Sequence, residues 1–286
     1  MDVTVLIVAA DSGPSLADCV RRALASPAVR EVLVLDNASS DGMPEALERE
    51  HAADARVTVI HNGSNLGFGA AMNRGAALAQ GDTLLLLNPD CLLEQGDVSA
   101  MLETLQSEPQ AGLIGAVVCD AEGLHDPASR RRDPLLARSL HTLWSRITGR
   151  VDDAGVEVTG PMPEGVEEEE AISGALMLLP RDVFDTIGGF DEAYFLHCED
   201  IDLCRRVRDA GFRVLLDGRV RVLHGKGGSS NHRPIFVSRH KHRGMWRWFR
   251  KFDPAARNPL VAAMVWCGIW LHFGISVVRG RFQSRA

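Results

Sequence analysis

The stretch Val3-Thr4-Val5-Leu6-Ile7-Val8-Ala9 decides the fold class, because it is a continuous run of apolar and β-branched residues. Such a run suits a parallel strand that is covered on both faces. A helix is predicted directly after it, and strands and helices go on alternating along the chain. The predicted helices are 16–25, 44–51 and 67–80, and the further predicted strands are 31–35, 57–60, 83–87 and 113–118. This order predicts an α/β fold with a doubly wound sheet, whose ligands bind beyond the carboxyl ends of the strands.

Composition indicates a folded protein with reduced thiols. The chain has 286 residues, 45% of them hydrophobic, which is enough for one large domain or for a domain with an appendage. Its six cysteines form no CxxC pair and no regular spacing, which favours the cytoplasm over a disulfide framework or a zinc site. The N-terminus runs directly into the first strand, without the basic segment and cleavage site of a secretory signal.

Charge is unevenly distributed along the chain. The net charge is −7, but residues 224–286 carry 12 Lys and Arg against one acid, while residues 1–223 carry 19 against 37. The basic end suits nucleic acid or an anionic membrane surface. The acidic part suits a metal ion. We therefore expect the two parts to face different partners.

Regular structure resumes after a loosely patterned segment, 120–170. The opposite charge blocks in that segment, Arg130-Arg131-Arg132 and Glu167 to Glu170, are predicted to be solvated loops. Beyond it we predict a strand over 172–180, a helix through Val183, a turn at 188–191, a helix over 200–210, and strands over 213–216 and 220–223.

Three carboxylates, Glu199, Asp200 and Asp202, gather at the start of the helix predicted over 200–210. Acidic residues in a first turn also offset the helix macrodipole, so a purely structural role stays open. Against that role, like-charge repulsion raises at least one of the pKa values, which is how a general base is tuned. Neighbours on a helix point about 100° apart. We therefore predict different roles: Asp200 as the base, Glu199 positioning an acceptor, and Asp202 facing the nearby arginines.

Four other motifs each have a structural alternative. Asp36, at a strand end, either caps a helix or accepts a hydrogen bond from a pyrimidine imide. The glycines of 65–75 either cradle a phosphate or permit close helix packing. Asn88-Pro89-Asp90 is either a turn or the source of a carboxylate for Mg²⁺ or Mn²⁺. His224, beside the glycine-rich segment 225–230, is structural, a metal ligand, or a contact of a leaving diphosphate.

The order of these motifs resembles glycosyltransferase family 2, the inverting nucleotide-sugar transferases of the A-type fold, and specifically its rhamnosyltransferase-like members. The resemblance covers residues 3–252. The stretches that carry it are Asp36-Asn37-Ala38-Ser39-Ser40-Asp41-Gly42, Asn65-Leu66-Gly67-Phe68-Gly69 through Asn73-Arg74-Gly75, Asn88-Pro89-Asp90, Ser173-Gly174-Ala175, Gly188-Gly189-Phe190-Asp191-Glu192, Glu199-Asp200-Ile201-Asp202-Leu203-Cys204, and His224. It implies a Rossmann-like, doubly wound mixed sheet.

The resemblance also implies roles for individual residues. Asp36 would read the pyrimidine, Asp90 would bind the divalent cation with His224 as a further ligand, and Asp200 would deprotonate the acceptor hydroxyl. The implied donor-binding residues are Ala9, Asp11, Asp36, Asn65, Gly67, Asn73, Arg74 and Asn88, and the implied acceptor-side residues are Ser173, Gly174 and Glu199. The chain departs from the family where the first strand ends, at Ala9-Ala10-Asp11, and where Asn88 replaces the first Asp of a DXD motif.

The C-terminal region has three alternatives. We divide the chain into a nucleotide-sugar-binding and catalytic domain, 1–232, and a basic, aromatic helical region, 233–286. Within the latter, the uncharged run 260–278 has 19 residues, close to the ~20 that span a bilayer. It predicts a buried or dimer-forming helix, a helix lying in a membrane interface, or a true span.

The resemblance, together with the apolar and basic C-terminal region, implies a metal-dependent, inverting glycosyltransferase at the inner face of the cytoplasmic membrane. Its expected donor is a nucleotide-sugar, most simply dTDP-rhamnose, and its expected acceptor is a saccharide or lipid-linked saccharide of a surface polysaccharide. Another UDP- or dTDP-sugar as donor and a non-catalytic sugar-nucleotide sensor stay open. A nucleic-acid-binding role is not expected, because it would leave the acidic motifs without a function.

Overall fold

The structure is a computed structural model that describes residues 1–149, 154–225 and 233–283. Residues 226–232 are not among the described residues. They contain most of the glycine-rich segment after His224 and end at the predicted domain boundary, 232/233. The strands are β1 (Val3–Ala9), β2 (Val29–Asp36), β3 (Val57–His61), β4 (Thr83–Leu87), β5 (Cys91–Leu92), β6 (Ala111–Cys119), β7 (Arg130–Arg131), β8 (Val166–Glu168), β9 (Ala171–Ile172), β10 (Leu176–Pro180) and β11 (Arg213–His224). The helices are α1 (Ser15–Leu24), α2 (Met43–Glu50), α3 (Phe68–Leu78), α4 (Asp97–Ser107), α5 (Leu136–Thr148), α6 (Arg181–Thr186), α7 (Glu199–Asp209), α8 (Pro234–Phe252) and α9 (Pro259–Gln283).

A mixed sheet forms the centre of the protein, as predicted. Its strand order is β3-β2-β1-β4-β10-β6-β11-β5, with β8 paired to β11. Strands β1 to β4 all run parallel to one another, whereas β10 runs antiparallel to its neighbours β4 and β6. The parallel strands therefore end at one edge of the sheet, which collects the predicted site residues.

Apolar side chains cover both faces of the sheet. In β1, Val5 and Ile7 belong to one core layer and Leu6 to the other, and all three are fully buried. Alternate leucines of β4 divide in the same way, with Leu85 on one face and Leu86 on the other. The continuous apolar runs therefore reflect burial on two sides, as expected for the strands of a parallel sheet.

Two helices were not predicted. Helix α4 buries Val98, Met101, Leu102 and Leu105, a helical spacing that the sequence displays. Helix α5 falls within the segment predicted to lack regular structure, and none of its residues is buried. The strand predicted over 172–180 is also interrupted, because β9 and β10 are separated by the segment 173–175.

The prediction of two solvated charge blocks is wrong for Arg130 and Glu169, whose side chains lie together largely away from solvent, whereas Glu167 and Glu168 are exposed. Arg130 is 6% exposed, donates to the Pro161 carbonyl at 2.6 Å and lies 3.5 Å from a carboxylate oxygen of Glu169. Arg130 and Arg131 form β7, which pairs with β9 in a small second sheet. Opposite charges that are distant in sequence therefore meet in the fold, which charge patterning along the chain does not reveal.

Helix α8 packs on the main body. Trp248, 1% exposed, lies in the core layer that also contains Tyr194. Lys251 places its Nζ 2.6 Å from an oxygen of Asp202, which is fully buried and also pairs with Arg206 at 2.6 Å. The expectation that Asp202 faces the arginines is therefore confirmed for Arg206, whereas Arg205 pairs with Asp133 and Asp209.

Helix α9 is exposed along most of its length. The stretch Pro259–Arg279 is long and apolar enough to cross a membrane, and only 6% of its most apolar 18 residues are buried. The alternative of a helix buried within this chain is therefore wrong, while the dimer-forming, interfacial and spanning alternatives remain.

Replacing Lys251 with Met removes one of the two cationic partners of buried Asp202. We expect the free energy of unfolding to fall by about 2 kcal/mol, the usual contribution of a hydrogen bond to a charged group. Lys241→Met, at an exposed lysine of the same helix, is the matched control and should change little. Urea unfolding measures both variants, and equal effects would contradict a structural role for the Lys251 contact.

Candidate active site

The predicted site residues gather at the carboxyl edge of the sheet. Ala9 ends β1, Asp36 ends β2, Asn88 follows β4 and His224 ends β11. The backbone N–H of Asn37 donates to the Ala9 carbonyl at 2.8 Å, which joins the first two strand ends directly. Sequence order therefore correctly placed these residues at one edge.

Asp36 is held by its own surroundings. Its side chain is 5% exposed; one carboxylate oxygen accepts the Ser39 N–H at 2.8 Å, and the other lies 2.8 Å from Nδ1 of His61. The hydrogen bond with Asp36 raises the pKa of His61. A carboxylate oxygen accepts two hydrogen bonds, so Asp36 retains capacity for a ligand. Its role in reading a pyrimidine stays a proposal.

The loops after β1 and β2 are bonded to each other. A carboxylate oxygen of Asp11 accepts the Ser40 N–H at 2.6 Å, and this backbone hydrogen bond is the main cause that lowers the pKa of Asp11. In return, the Gly13 N–H donates to Asp41 at 2.9 Å. Asp11 therefore fixes the shape of the edge where a donor nucleotide would lie.

Gly67 permits the closest approach in the donor-side loop. Its φ is +86°, and a Cβ there would lie 2.6 Å from the Phe195 carbonyl oxygen. Asn65 accepts the Gly67 N–H at 2.9 Å, and Asn37 donates to the Gly67 carbonyl at 3.2 Å. The glycine is thus required for contact between the loop and the segment before α7.

Asn73 and Arg74 bind other parts of the protein. The amide of Asn73 accepts the Phe190 N–H at 2.8 Å and donates to the Phe190 carbonyl at 2.9 Å. Arg74 donates to Asn62 at 2.6 Å. Asn73 therefore holds the turn at 188–191 against α3, and a direct role of either residue in donor binding stays a proposal.

Asp90 and His224 form the candidate metal centre. Oδ1 of Asp90 lies 3.1 Å from Nε2 of His224, and Nδ2 of Asn88 lies 3.3 Å from the same nitrogen. Two ligands at right angles around Mg²⁺, each about 2.1 Å from it, are about 3 Å apart. The spacing and the oxygen and nitrogen donors therefore fit a cation. Among the described residues no group of three or more His, Cys, Asp or Glu gathers, so substrate oxygens would complete the shell.

Asp200 is paired with an arginine that sequence reasoning assigned to solvent. The guanidinium of Arg131 lies 2.5 Å from Oδ2 of Asp200. Burial alone would raise the pKa of Asp200, but the charge of Arg131 and its hydrogen bond outweigh burial, so the pKa lies below its ordinary value. Asp200 is therefore ionised at neutral pH and is oriented from β7.

The raised pKa expected among the clustered carboxylates belongs to Glu199 and not to the predicted base Asp200, whose pKa is lowered. Burial, assisted by the charge of Asp200, raises the pKa of Glu199 to about 8. Its Oε2 is buried without a hydrogen-bond partner in the described part of the chain. The residues before it, His197 and Cys198, have φ values of +67° and +71°, which is unusual for side chains other than glycine. This strained turn sets the start of α7.

One short segment connects the two acidic motifs. The Asn88 N–H donates to the Ala175 carbonyl at 2.9 Å. A Cβ on the adjacent Gly174 would lie 3.0 Å from the Cβ of Asp200. The segment 173–175 therefore touches the metal-side loop at one end and the candidate base at the other, which places Asp90 and Asp200 in one neighbourhood.

Sequence reasoning missed three residues of this region. Arg131 pairs with the candidate base, His61 with Asp36, and His197 lies beside Asp200, where burial lowers the pKa of the histidine. His61 directly follows the strand predicted over 57–60, and Asp36 directly follows the strand predicted over 31–35, so strand adjacency was a usable signal. Arg131 gave none, because its contact depends on pairing across 69 residues.

Comparisons with known proteins identify the family of this chain. The family model described as Glycosyl transferase family 2 matches residues 4–154. N-acetylglucosaminyl-diphospho-decaprenol L-rhamnosyltransferase of Mycobacterium tuberculosis is 30% identical over 260 residues, covering 80% of this chain and 82% of that protein. Rhamnosyltransferase WbbL of Escherichia coli is 29% identical over 164 residues, covering 54% of this chain and 58% of that protein.

A solved structure shares the fold. The mannosyltransferase PcManGT from Pyrobaculum calidifontis, in complex with GDP-Man and Mn²⁺, superposes with a TM-score of 0.60. It is 20% identical in sequence, and the match covers 92% of this chain and 68% of that one. The architecture is therefore that of the A-type glycosyltransferases. The family match over half of the chain and the mycobacterial relative together establish that this chain belongs to glycosyl transferase family 2.

Proposed function

We propose that this protein is an inverting glycosyltransferase that moves rhamnose from dTDP-rhamnose to a saccharide or lipid-linked saccharide during cell-surface polysaccharide synthesis. The observation that carries the proposal is the position of segment 173–175, which touches both the Asn88 backbone and Asp200. A donor on the Asp90 side and an acceptor on the Asp200 side would meet there. The choice of rhamnose rests on the two relatives from Mycobacterium tuberculosis and Escherichia coli, which are both rhamnosyltransferases.

The proposed reaction needs one proton acceptor and no covalent enzyme intermediate. Asp200 accepts the proton of the acceptor hydroxyl while the hydroxyl oxygen attacks the anomeric carbon. The bond from that carbon to the diphosphate breaks on the opposite face, so the configuration inverts. The diphosphate departs with the bonding electron pair.

Glu199 and Arg131 support Asp200 in different ways. The positive charge of Arg131 keeps Asp200 ionised, the only state in which it can accept a proton. Glu199, with its pKa raised to about 8, is predominantly protonated at pH 7. A neutral carboxyl donates a hydrogen bond, so Glu199 can orient the acceptor without competing for its proton.

The candidate metal centre serves the departing diphosphate. Asp90 and His224 would hold Mg²⁺ or Mn²⁺, and a bound divalent cation neutralises negative charge on phosphate oxygens. The carboxylate oxygen of Asp90 suits either ion. The Mn²⁺ in the complex of the archaeal structural neighbour supports this part of the proposal.

The C-terminal helices suggest where the reaction takes place. Helix α9 is apolar and exposed, and the exposed cations Arg239, Lys241 and Arg243 lie on α8. Basic side chains beside an apolar helix suit an anionic membrane surface. We therefore place the enzyme at the inner face of the cytoplasmic membrane, peripheral to it, where a lipid-linked acceptor is available.

Transfer assays with purified full-length protein test the proposed activity. With a diphospholipid-linked N-acetylglucosamine acceptor, we expect dTDP-rhamnose to be consumed in preference to other UDP- and dTDP-sugars, and EDTA to stop the reaction until Mn²⁺ is restored. Asp200→Asn should lose about 100-fold or more in kcat while retaining donor binding. Asp185→Asn, at an exposed carboxylate, is the control.

Full turnover by Asp200→Asn would refute the assignment of the base. Donor binding without transfer or hydrolysis under every condition would indicate a sugar-nucleotide sensor instead. Preference for another sugar would keep the transferase activity and replace rhamnose.

The contact between Arg131 and Asp200 predicts a specific pH dependence. Removing the cation by Arg131→Met raises the pKa of Asp200, because burial then loses its strongest opponent and only the Ile201 N–H and the charge of His197 still lower that pKa. The acidic limb of the kcat/KM profile should move up by about one pH unit or more. Arg131→Lys should show a smaller shift, and Arg30→Met, at an exposed arginine, should show none. Lower activity with an unmoved acidic limb would reduce Arg131 to a purely structural residue.

A further inference from the structure

Helix α5 presents an apolar face that nothing in the described chain covers. Leu140, Leu143, Trp144 and Ile147 follow helical spacing and are 55–70% exposed. The opposite face is anchored: Thr142 accepts the Val156 N–H at 2.9 Å, and Arg138 donates to Glu170 at 2.6 Å. These contacts fix the rotation of the helix. The apolar face of α5 is therefore held facing away from the rest of the protein.

The start of α5 lies against the connection between α8 and α9. The first N–H of α5, at Leu136, donates to a carboxylate oxygen of Asp253 at 2.5 Å, and Asp253 lies between α8 and α9. The side chain of Leu136 packs against the small cluster of Phe249, Ala256 and Ala262. The apolar face of α5 is thus rigidly connected to the start of α9.

Charge favours a lipid surface over a second copy of the chain. Nε2 of His242 on α8 lies 2.9 Å from Nδ1 of His272 on α9, so the exposed cations around His242 run beside the apolar helix. Pairing two copies through these helices would bring two sets of such cations together. Anionic headgroups would neutralise them instead.

The length of α5 decides how it would meet a bilayer. Its 13 residues rise about 20 Å, which is too short to span a hydrocarbon core of about 30 Å. An amphipathic helix with Trp on its apolar face lies in the interface plane. The outward apolar face and the anchored polar face match that arrangement.

We propose that Leu140, Leu143, Trp144 and Ile147 of α5 form a second membrane-docking surface, which acts together with α9 on an anionic bilayer. The inference rests on the proposed membrane location and deepens it. Arg131, the partner of Asp200, lies five residues before α5, so docking through α5 would hold the catalytic edge in a fixed orientation toward lipid-linked acceptors. Helix α9 alone would tether the enzyme without fixing that orientation.

Flotation with vesicles tests the surface. The full-length double variant Leu143→Glu/Ile147→Glu is compared with the wild type on vesicles of phosphatidylglycerol and phosphatidylcholine and on phosphatidylcholine alone. We expect the variant to bind anionic vesicles at least about tenfold more weakly. The double variant Leu78→Glu/Leu124→Glu changes two leucines that are equally exposed but lie away from α5 and α9, and it should bind like the wild type.

Two further measurements separate the possible failures. Transfer to a water-soluble acceptor should be unchanged in the α5 variant, while transfer to the lipid-linked acceptor in vesicles should fall. Wild-type vesicle binding by the α5 variant would overturn the proposal. So would a change from dimer to monomer in light scattering with unaltered lipid binding, which would identify α5 as a dimer interface. Loss of transfer to both acceptors would instead point to damage at the catalytic edge.

Discussion

The structure of the candidate site depends on one close approach, that of α7 to the segment between β9 and β10. Gly174 has no side chain, and a Cβ there would lie only 3.0 Å from that of Asp200. The next residue, Ala175, accepts a hydrogen bond from Asn88. The missing side chain therefore lets the metal-side loop and the candidate base share one neighbourhood. A larger residue at 174 would push them apart.

A second contact, that of Arg131 with Asp200, explains why two carboxylates that are adjacent in sequence differ in chemistry. The positive charge of Arg131 stabilises the ionised form of Asp200. Glu199 is buried without such an ion pair, and its pKa rises to about 8. A pair with separated pKa values can divide the tasks of accepting a proton and donating a hydrogen bond. The division comes from β7, an element outside the motif itself.

Local pattern was sufficient to predict the sheet and its functional edge. Continuous apolar runs such as Val3–Ala9 record burial on two faces, and polar residues directly after them mark the carboxyl ends. Pairings over long sequence distances were not predictable: Arg131 with Asp200, Arg130 with Glu169, and the packing of Trp248 into the core. Helix α5 was missed for a different reason, since its apolar face does not serve the core of this chain.

A crystal structure of the protein with Mn²⁺ and dTDP would test the central claim most directly, because that claim is spatial. We predict that Mn²⁺ binds Asp90 and His224, and that the diphosphate lies between the ion and Asp200, beside Gly174. Binding of the nucleotide at another edge of the sheet, or an Asp200 carboxylate directed away from the diphosphate, would contradict it.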